Sequence, residues 1–398
     1  MAKRINLRRA HVARSNTIRH INRQIILNYI REEGPISRAD ISKITALQRS
    51  TVSLIVDELL KKGLIDEVYG ESSGGRPPQL LSLKTKSAIA IGVAVGKRIT
   101  IVGTSDLSGR LLEKQEFATS RDLDTTIERI IKSVKYFISK DTSTIEGIGI
   151  SLPGLVESQE GEVLNIPHLD WKQPKIADVI RNATGLPVLV DNDTNAAALA
   201  ELWIGRPEIS DVRDFIVVLV DKGIGTGVVF DGQIYRGKGG IAGEFGHMTI
   251  GKDAPIACAA GRYDCWEAFA SERAAVARYE AIKGRDTGKE KIRFERLVDL
   301  ALKGDKPAVT ALRETARYIG IGISNLIQGL SPELTIVTGS IVRAWPLISE
   351  DVIEGAESSI CQGYPTVNII PSSLGAYPSL MGAFSLVLAD KFSVVSMT

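Results

Sequence analysis

The 398 residues, 44% hydrophobic and 24% charged, have the composition of an ordinary globular protein of two or three domains. No apolar stretch approaches the roughly 18 residues of a membrane span, and the charged N-terminus has no signal-peptide core, so we expect a cytoplasmic protein with no membrane partner. The net charge of +2 hides an asymmetry, because residues 1–86 carry 16 Lys and Arg against 8 Asp and Glu, whereas the remainder carries 33 against 39. This basic head predicts binding to a polyanion, although a solvated basic tail has the same composition.

Three helices are predicted in the basic head. Apolar residues spaced three and four apart over 18–30 predict a first helix, which Gly34-Pro35 ends. Ser37 is a suitable N-cap for a short second helix, and an amphipathic third helix is predicted over about 48–62. A short helix, a tight turn and an amphipathic helix together predict a helix-turn-helix.

The third helix begins with polar side chains, as a recognition helix does where it meets base edges and phosphates. Arg49 could read guanine or hold a phosphate, and Ser50 and Thr51 could contact phosphates or cap the helix. The other interpretation is that these residues only start a helix. The predicted DNA contacts are Arg38, Gln48, Arg49, Ser50, Thr51, Ser53 and Arg76.

A wing is predicted after the third helix. Two short strands, Leu64–Val68 and Gln79–Leu83, flank a turn rich in Gly and Pro. Gly74-Gly75 would let the backbone approach DNA closely, and Arg76 would enter a narrow minor groove. A flexible linker is the alternative. We expect this winged helix-turn-helix DNA-binding domain to occupy residues 1–85.

Residues 86–398 have the α/β pattern of a duplicated body. The first copy has predicted strands at Ala88–Val95, Ile99–Thr104, Leu111–Ala118 and Ile145–Ser151, with a helix at about 123–139. The second copy has predicted strands at Phe215–Leu219, Gly225–Phe230, Gln233–Arg236 and Leu334–Gly339. This periodicity indicates an α/β architecture without identifying the fold.

Four motifs of the body narrow the choice of fold. They are Ile91-Gly92 through Gly109, Asp191–Ala198, Gly243–His247 and Cys265-Trp266-Glu267. In this order they resemble the ROK family (repressors, open reading frames, sugar kinases), and the helix-turn-helix is similar to its repressor branch, which includes xylose and N-acetylglucosamine repressors. The resemblance covers essentially the whole chain. It implies a two-lobed, actin-like (ribonuclease-H-like) sugar-kinase fold, with a small lobe at about 86–195 plus a C-terminal helix at about 379–393, and a large lobe at about 196–378.

A sugar site is predicted where the strand at 188–190 gives way to a helix, since α/β proteins place ligands at such switch points. The amide of Asn192 and the carboxylate of Asp193 suit hydroxyl groups that both donate and accept. The resemblance implies that Asp193 matches the general base of the kinases and that Asn192 contacts the same sugar. It implies further sugar contacts from Gly154, Glu244, His247 and Glu267. Taken alone, Asp193 could equally be the N-cap of the following helix.

The resemblance also implies a structural zinc, which ROK proteins commonly hold with one His and three Cys. His247, Cys258 and Cys265 are present here, but Ala260 replaces the middle cysteine. Structural zinc sites are almost always four-coordinate, so Asp264 or water would have to complete the shell. The alternative is two buried free thiols in a reducing compartment.

Both phosphate-binding loops depart from the kinase pattern. The Asp-x-Gly-Gly-Thr turn of the kinases reads Ala94-Val95-Gly96-Lys97-Arg98, so the acidic residue that positions Mg²⁺ is lost. The second loop begins with Asp221, whose carboxylate would repel phosphates. We therefore expect no kinase activity and no ATP binding.

The sequence thus predicts a sugar-responsive repressor of carbohydrate-metabolism genes, such as those for xylose. It would act as a homodimer or homotetramer on a double-stranded DNA operator. Two alternatives stay open: an active sugar kinase with an appended DNA-binding domain, and a regulator controlled by a protein partner.

Overall fold

The computed structural model describes residues 15–70, 78–141, 143–158, 161–166, 169–206, 211–284, 292–364 and 367–392. The chain divides into a head unit (Met1–Ile89, Asp106–Arg110 and Leu388–Thr398) and a body unit (Ala90–Ser105 and Leu111–Val387). Within the described ranges, every helix is too short or too polar to cross a bilayer.

The head unit contains three helices and a small antiparallel sheet. The helices are α1 (Ser15–Glu33), α2 (Arg38–Thr45) and α3 (Arg49–Lys61), and the strands are β1 (Ile36–Ser37), β2 (Ile65–Tyr69) and β3 (Gln79–Leu83). Strand β3 pairs with both β1 and β2. The structure confirms the three predicted helices and both predicted strands, while β1 is too short to show an alternating pattern in the sequence.

Apolar side chains spaced three and four apart form the core of the head. Ile26, Ile30, Ile41, Ile55 and Leu59 are each at most 2% exposed. Burying one such side chain contributes about 1.5–3 kcal/mol to folding. One face of α3 packs against this core, and the opposite face of the helix is directed toward solvent.

Ser37 sets the start of α2 as predicted. Its Oγ accepts a hydrogen bond from the backbone N–H of Asp40 at 3.1 Å, which satisfies one of the donors that a helix N-terminus leaves unpaired. Ala46 ends the helix in the left-handed conformation, with φ of 55°. The turn between α2 and α3 is therefore fixed by local interactions.

Two five-stranded sheets form the body unit. The first has the order β11-β7-β4-β5-β6 and the second β14-β13-β12-β15-β16. The first comprises β4 (Ala88–Val95), β5 (Ile99–Asp106), β6 (Leu111–Ala118), β7 (Thr144–Leu152) and β11 (Val188–Asn192). The second comprises β12 (Phe215–Val220), β13 (Ile224–Phe230), β14 (Gln233–Ile234), β15 (Leu334–Thr338) and β16 (Ile369–Pro371). A small sheet holds β8 (Leu155–Glu157), β9 (Glu162–Ile166) and β10 (Trp171–Lys172).

The two large sheets have equivalent topology. In the second, β12 pairs antiparallel with β13 and parallel with β15; in the first, β5 pairs antiparallel with β6, and β7 pairs parallel with β11. In each sheet the first three strands in chain order form one side and the last two form the other. The duplication predicted from the sequence is therefore present.

Helices connect and cover the strands of the body. They are α4 (Leu123–Lys140), α5 (Ile176–Thr184), α6 (Asp193–Ile204), α7 (Trp266–Ala270), α8 (Glu272–Ile282), α9 (Phe294–Leu302), α10 (Lys306–Leu330), α11 (Trp345–Glu357) and α12 (Pro378–Phe392). Helix α12 packs closely on the first sheet, because the ring of Phe384 lies where a side chain on Gly92 of β4 would be. A β-carbon at Gly92 would come within 2.6 Å of that ring, so this position requires glycine.

The last turn of α12 belongs to the head unit and is capped by α1. The carbonyls of Lys391 and Phe392 accept hydrogen bonds from Gln24 Nε2 at 2.6 Å and Asn28 Nδ2 at 2.7 Å. The last carbonyls of a helix have no partner inside it, so α1 supplies these partners from side chains one turn apart.

Candidate functional site

A cavity of about 370 Å³ in the body unit brings the predicted sugar-binding residues together. It lies at the junction of β11 and α6, beside the turn between β12 and β13 and the start of α7. All six residues predicted from the sequence line it: Gly154, Asn192, Asp193, Glu244, His247 and Glu267. These residues come from four separate parts of the chain, so their convergence is a result of the fold.

Asn192 organises the junction between β11 and α6. Its Oδ1 accepts hydrogen bonds from the backbone N–H groups of Thr194 at 2.9 Å and Asn195 at 3.2 Å, so Asn192 is the N-cap of α6. Its Nδ2 donates to the Gly154 carbonyl at 2.9 Å. The Asn192 amide therefore holds the two walls of the cavity together.

Because Asn192 is the cap, Asp193 is not, and its carboxylate is free to face the cavity. Its side-chain contact with the helix is a long hydrogen bond, which Thr194 Oγ1 donates to Asp193 Oδ1 at 3.3 Å. Burial raises the pKa of Asp193 to about 6, and the nearby carboxylate of Asp221 adds to the shift. Asp193 thus has the properties of a hydrogen-bond acceptor or proton acceptor that changes state near neutral pH.

Glu244, His247 and Glu267 form the other wall of the cavity. Glu267 is 4% exposed, and its Oε1 accepts a hydrogen bond from the backbone N–H of Ala259 at 2.7 Å. Glu244 also lines the cavity, and burial by the surrounding protein raises the pKa of its carboxyl group. The charge of His247 lowers this pKa, and the charge of Glu267 raises it. The wall therefore presents two carboxylates and an imidazole to a ligand.

Gly223 lies directly against the carboxylate of Glu267 at the edge of this cavity. A β-carbon at Gly223 would lie 2.6 Å from Glu267 Oε2, so a side chain there would displace the carboxylate. The glycine keeps the loop between β12 and β13 close to α7.

A cluster that could hold a metal ion lies beside the cavity. The ligand atoms of His247, Cys258 and Cys265 all lie within 4.8 Å of one another. The half-buried carboxylate of Asp264 pairs with Arg262 at 2.9 Å. A fourth ligand, from Asp264 or water, stays a prediction.

A second cavity adjoins the first in the body unit. We call the first cavity the sugar side and the second the phosphate side, after the groups that the sequence predicts they would face. The second cavity, of about 750 Å³, shares Lys97 and Asp221 with the first. Ala94 is 7% exposed within β4 and provides no carboxylate. Burial lowers the pKa of Lys97 to about 8, against the opposing effect of Glu267 and Asp221. An amine and a carboxylate thus occupy the region where a kinase of this pattern has glycine turns.

The predicted DNA contacts in the head fall into two groups. Gln48, Arg49 and Ser50 are exposed at the start of α3, and Thr51 and Ser53 are half-buried on it. Arg38 instead makes ion pairs with Asp57 at 2.8 Å and Glu67 at 2.9 Å. Arg76 and the rest of the predicted wing turn lie outside the described residues.

Sequence reasoning missed a buried ion pair beneath the sugar-side cavity. Asp191, fully buried on β11, accepts hydrogen bonds from Arg236 Nε at 3.1 Å and Nη2 at 2.5 Å. Arg236 precedes the loop that carries Gly243 and Glu244. The pair therefore fixes that loop against β11, and no local pattern marks a partner 45 residues away.

Comparisons with known proteins agree with this arrangement. The sequence profile of the ROK family matches residues 90–390, and that of winged helix-turn-helix DNA-binding domains matches residues 19–66. The xylose repressor of Bacillus spizizenii is 30% identical over 395 residues, which span 97% of this chain and 100% of that protein.

Two crystal structures are similar to the chain. One is a ROK family transcriptional regulator, a homologue of the E. coli MLC protein, with a TM-score of 0.80 at 28% identity over 95% of this chain and 98% of that one. The other is a ROK family glucokinase from Streptomyces griseus in complex with glucose and AMPPNP, with a TM-score of 0.67 at 28% identity over 75% of this chain and 98% of that one. The predicted fold class is confirmed by both.

Proposed function

The chain belongs to the ROK family, and we propose that it is a sugar-responsive transcription repressor whose kinase-like body binds a sugar without phosphorylating it. One observation carries the proposal: five polar side chains and Gly154 surround one cavity, while Lys97 and Asp221 stand where this cavity meets the second one and Ala94 lies in the preceding strand β4. Phosphoryl transfer depends almost entirely on positioning and on charge stabilisation around the phosphates. A body that keeps the first set and lacks the second is suited to sensing.

We assign the DNA-binding head to residues 1–85 and the sugar-binding body to residues 86–398. Two heads of a homodimer or homotetramer would bind a two-fold symmetric operator. Sugar releases the operator only if it binds the DNA-free state more tightly, since a ligand shifts an equilibrium by its differential affinity for the two states.

The effector we propose is a neutral monosaccharide, with D-xylose as the first candidate. The cavity is lined by the carboxylates of Asp193, Asp221, Glu244 and Glu267 against the single ammonium of Lys97, which disfavours an anionic sugar. Carboxylates and the Asn192 amide are the groups that hydroxyls recognise. The similarity to a protein named xylose repressor supports the choice of pentose.

A structural zinc held by His247, Cys258 and Cys265 is part of the proposal. His247 Nδ1 is buried without a hydrogen-bond partner in the described structure, and both thiols are buried, so the donor set fits a thiophilic ion. When bound, zinc would tie the segment carrying Cys258 to the start of α7. It would leave the other nitrogen of His247 for the cavity.

Two measurements on the full-length protein test the function. Fluorescence anisotropy with a selected operator should show binding that D-xylose reverses, and calorimetry should show heat with D-xylose. Replacement of Glu267 by Gln should remove the heat and the reversal, whereas Glu354→Gln, an exposed glutamate on α11, should change neither. No heat with any pentose or hexose would favour a regulator controlled by a protein partner.

An ATP-coupled assay over common pentoses and hexoses tests the enzymatic alternative. We expect no turnover above background, because Ala94 provides no carboxylate to position Mg²⁺ and Asp221 would repel the phosphates. Turnover at ordinary kinase rates, about 1–100 per second, would establish an active kinase with an appended DNA-binding domain.

A further inference from the structure

A leucine stands alone on the solvent-facing side of α3. Leu54 is 66% exposed, and the side chains that anchor this helix, among them Val52, Ile55 and Val56, are fully buried or nearly so. With 3.6 residues per turn, Leu54 lies on the face opposite the buried stripe. The head's own core therefore does not account for this leucine.

The surroundings of Leu54 place it in the DNA-contacting face of the helix. Ser50 precedes it by four residues, so the two side chains are neighbours on one face, and Arg49 and Ser53 flank them. A recognition helix meets base edges through its N-terminal residues. Leu54 is the sixth residue of α3 and extends that polar face by one turn.

The chemistry of the major groove provides an apolar partner. Thymine alone presents a methyl group there, and apolar side chains contact it. The charge of residues 1–86, 16 basic against 8 acidic residues, matches a DNA surface and is opposite to the body's charge. On the N-terminal side, Leu54 has the hydroxyls of Ser50 and Ser53 as neighbours. One turn on, its neighbours are Asp57 and Glu58, whose carboxylates are paired with Arg38 and with Arg23 and Lys62. A leucine between hydroxyls and neutralised carboxylates is suited to one thymine.

We infer that Leu54 is a specificity-determining residue that contacts the 5-methyl group of a thymine in each operator half-site. The inference rests on the proposed DNA-binding function and adds a base preference to it. Arg49 and Ser50 supply hydrogen bonds at the neighbouring positions, and Leu54 supplies an apolar contact that favours thymine over the other three bases.

The test begins with an operator selected from random duplex DNA by the full-length protein. Each thymine is then replaced in turn by deoxyuridine, in both half-sites, which removes only the methyl group. At one position per half-site the wild type should bind about fourfold more weakly, the effect of exposing one buried apolar carbon. Leu54→Ala should bind the thymine operator more weakly and show no further loss with deoxyuridine at that position.

Leu302→Ala provides a matched control, because Leu302 on α9 is a leucine with 53% exposure in the body unit. It should reproduce the wild-type response to every replacement. The inference is overturned if Leu54→Ala binds the thymine operator like the wild type, or if it keeps the wild-type loss at every thymine. A change of oligomeric mass in Leu54→Ala with unaltered thymine responses would assign Leu54 to a protein contact instead.

The selection itself separates this inference from the proposed function. If no sequence is enriched by the wild-type protein, the DNA-binding function fails and the inference fails with it. If an operator is enriched and sugar releases it, while no thymine depends on Leu54, only the inference fails.

Discussion

The two cavities of the body share Lys97 and Asp221 but differ in what surrounds them. The smaller is organised by Asn192 through three hydrogen bonds, and Glu267 is fixed by the Ala259 backbone. The larger is lined by the turn that carries Lys97 and Arg98 and by charged side chains of both signs, among them Glu272 and Arg273. The proposed sugar site is built from separate side chains, so we expect it to stay intact when neighbouring loops change.

The phosphate side is more easily lost because its chemistry depends on groups that carry no side chain. Glycine turns let backbone N–H groups reach phosphate oxygens, so one added side chain removes the approach. The resemblance implies that Lys97 fills such a position, and Asp221 adds a charge of the same sign as phosphate. In the proposed function, these two positions separate a sensor site from an enzyme site.

The largest expected effect is on the sugar side. Glu267→Gln should weaken sugar binding about 30- to 100-fold, because a buried charged hydrogen-bond partner is removed and its contacts stay unsatisfied. Titration calorimetry measures the change, and operator affinity without sugar should be unaltered. If Glu267→Gln binds sugar like the wild type, the cavity is not the effector site.

The phosphate side offers the next test, through the stability of the protein. Burial and the neighbouring Asp221 raise the pKa of Glu272 to about 8, above its ordinary value of 4.5. Between these values the folded state holds a proton that the unfolded state has released, so stability falls as pH rises from 4.5 to 8.

Glu272→Gln should therefore stabilise the protein at pH 9 by on the order of 2 kcal/mol, with little change at pH 5. Its amide oxygen can still accept the hydrogen bond from Ser340 that Glu272 makes. Urea unfolding at the two pH values measures this, with Glu354→Gln as the control. Equal effects at both pH values would contradict the linkage.

The fold could be read from the sequence where local signals are sufficient. Strands β4 and β6 were predicted to the residue, and Ser37 was correctly identified as a cap. The long-range contacts could not be predicted: the Asp191–Arg236 pair joins two segments that are 45 residues apart and that only the fold brings together. The predicted sugar residues do line one cavity, because the family resemblance, which rests on short local motifs, identifies residues that the fold brings together.

Asp193 allows a test of the sugar side by pH. Its pKa of about 6 means that the carboxylate is mostly protonated at pH 5 and ionised at pH 8. If the ionised carboxylate accepts a hydrogen bond from a sugar hydroxyl, the affinity for the sugar should be about tenfold lower at pH 5 than at pH 8. The reason is that about a tenth of the carboxylate is ionised at one pH unit below its pKa. Calorimetry at both values measures this step, and Asp193→Asn should remove it.

The smallest effect is expected in the head, where the direction with pH is reversed. Hydrogen bonds from Lys62 and Arg23 lower the pKa of Glu58 to about 2, below its ordinary value of 4.5. The stability that these pairs contribute is present above pH 4.5 and is lost as pH falls toward 2. The pairs are only partly buried, so their contribution is at most about 1 kcal/mol.

Glu58→Gln should therefore weaken hydrogen-exchange protection of α1 and α3 slightly at pH 6 and less at pH 3. Glu33→Gln, an exposed glutamate on α1, is the matched control and should have no effect at either value. If Glu58→Gln and Glu272→Gln shifted stability with the same dependence on pH, the two carboxylates would share one cause. In that case, the pH dependence of the two variants could not be explained by ion pairing at Glu58 and by burial at Glu272.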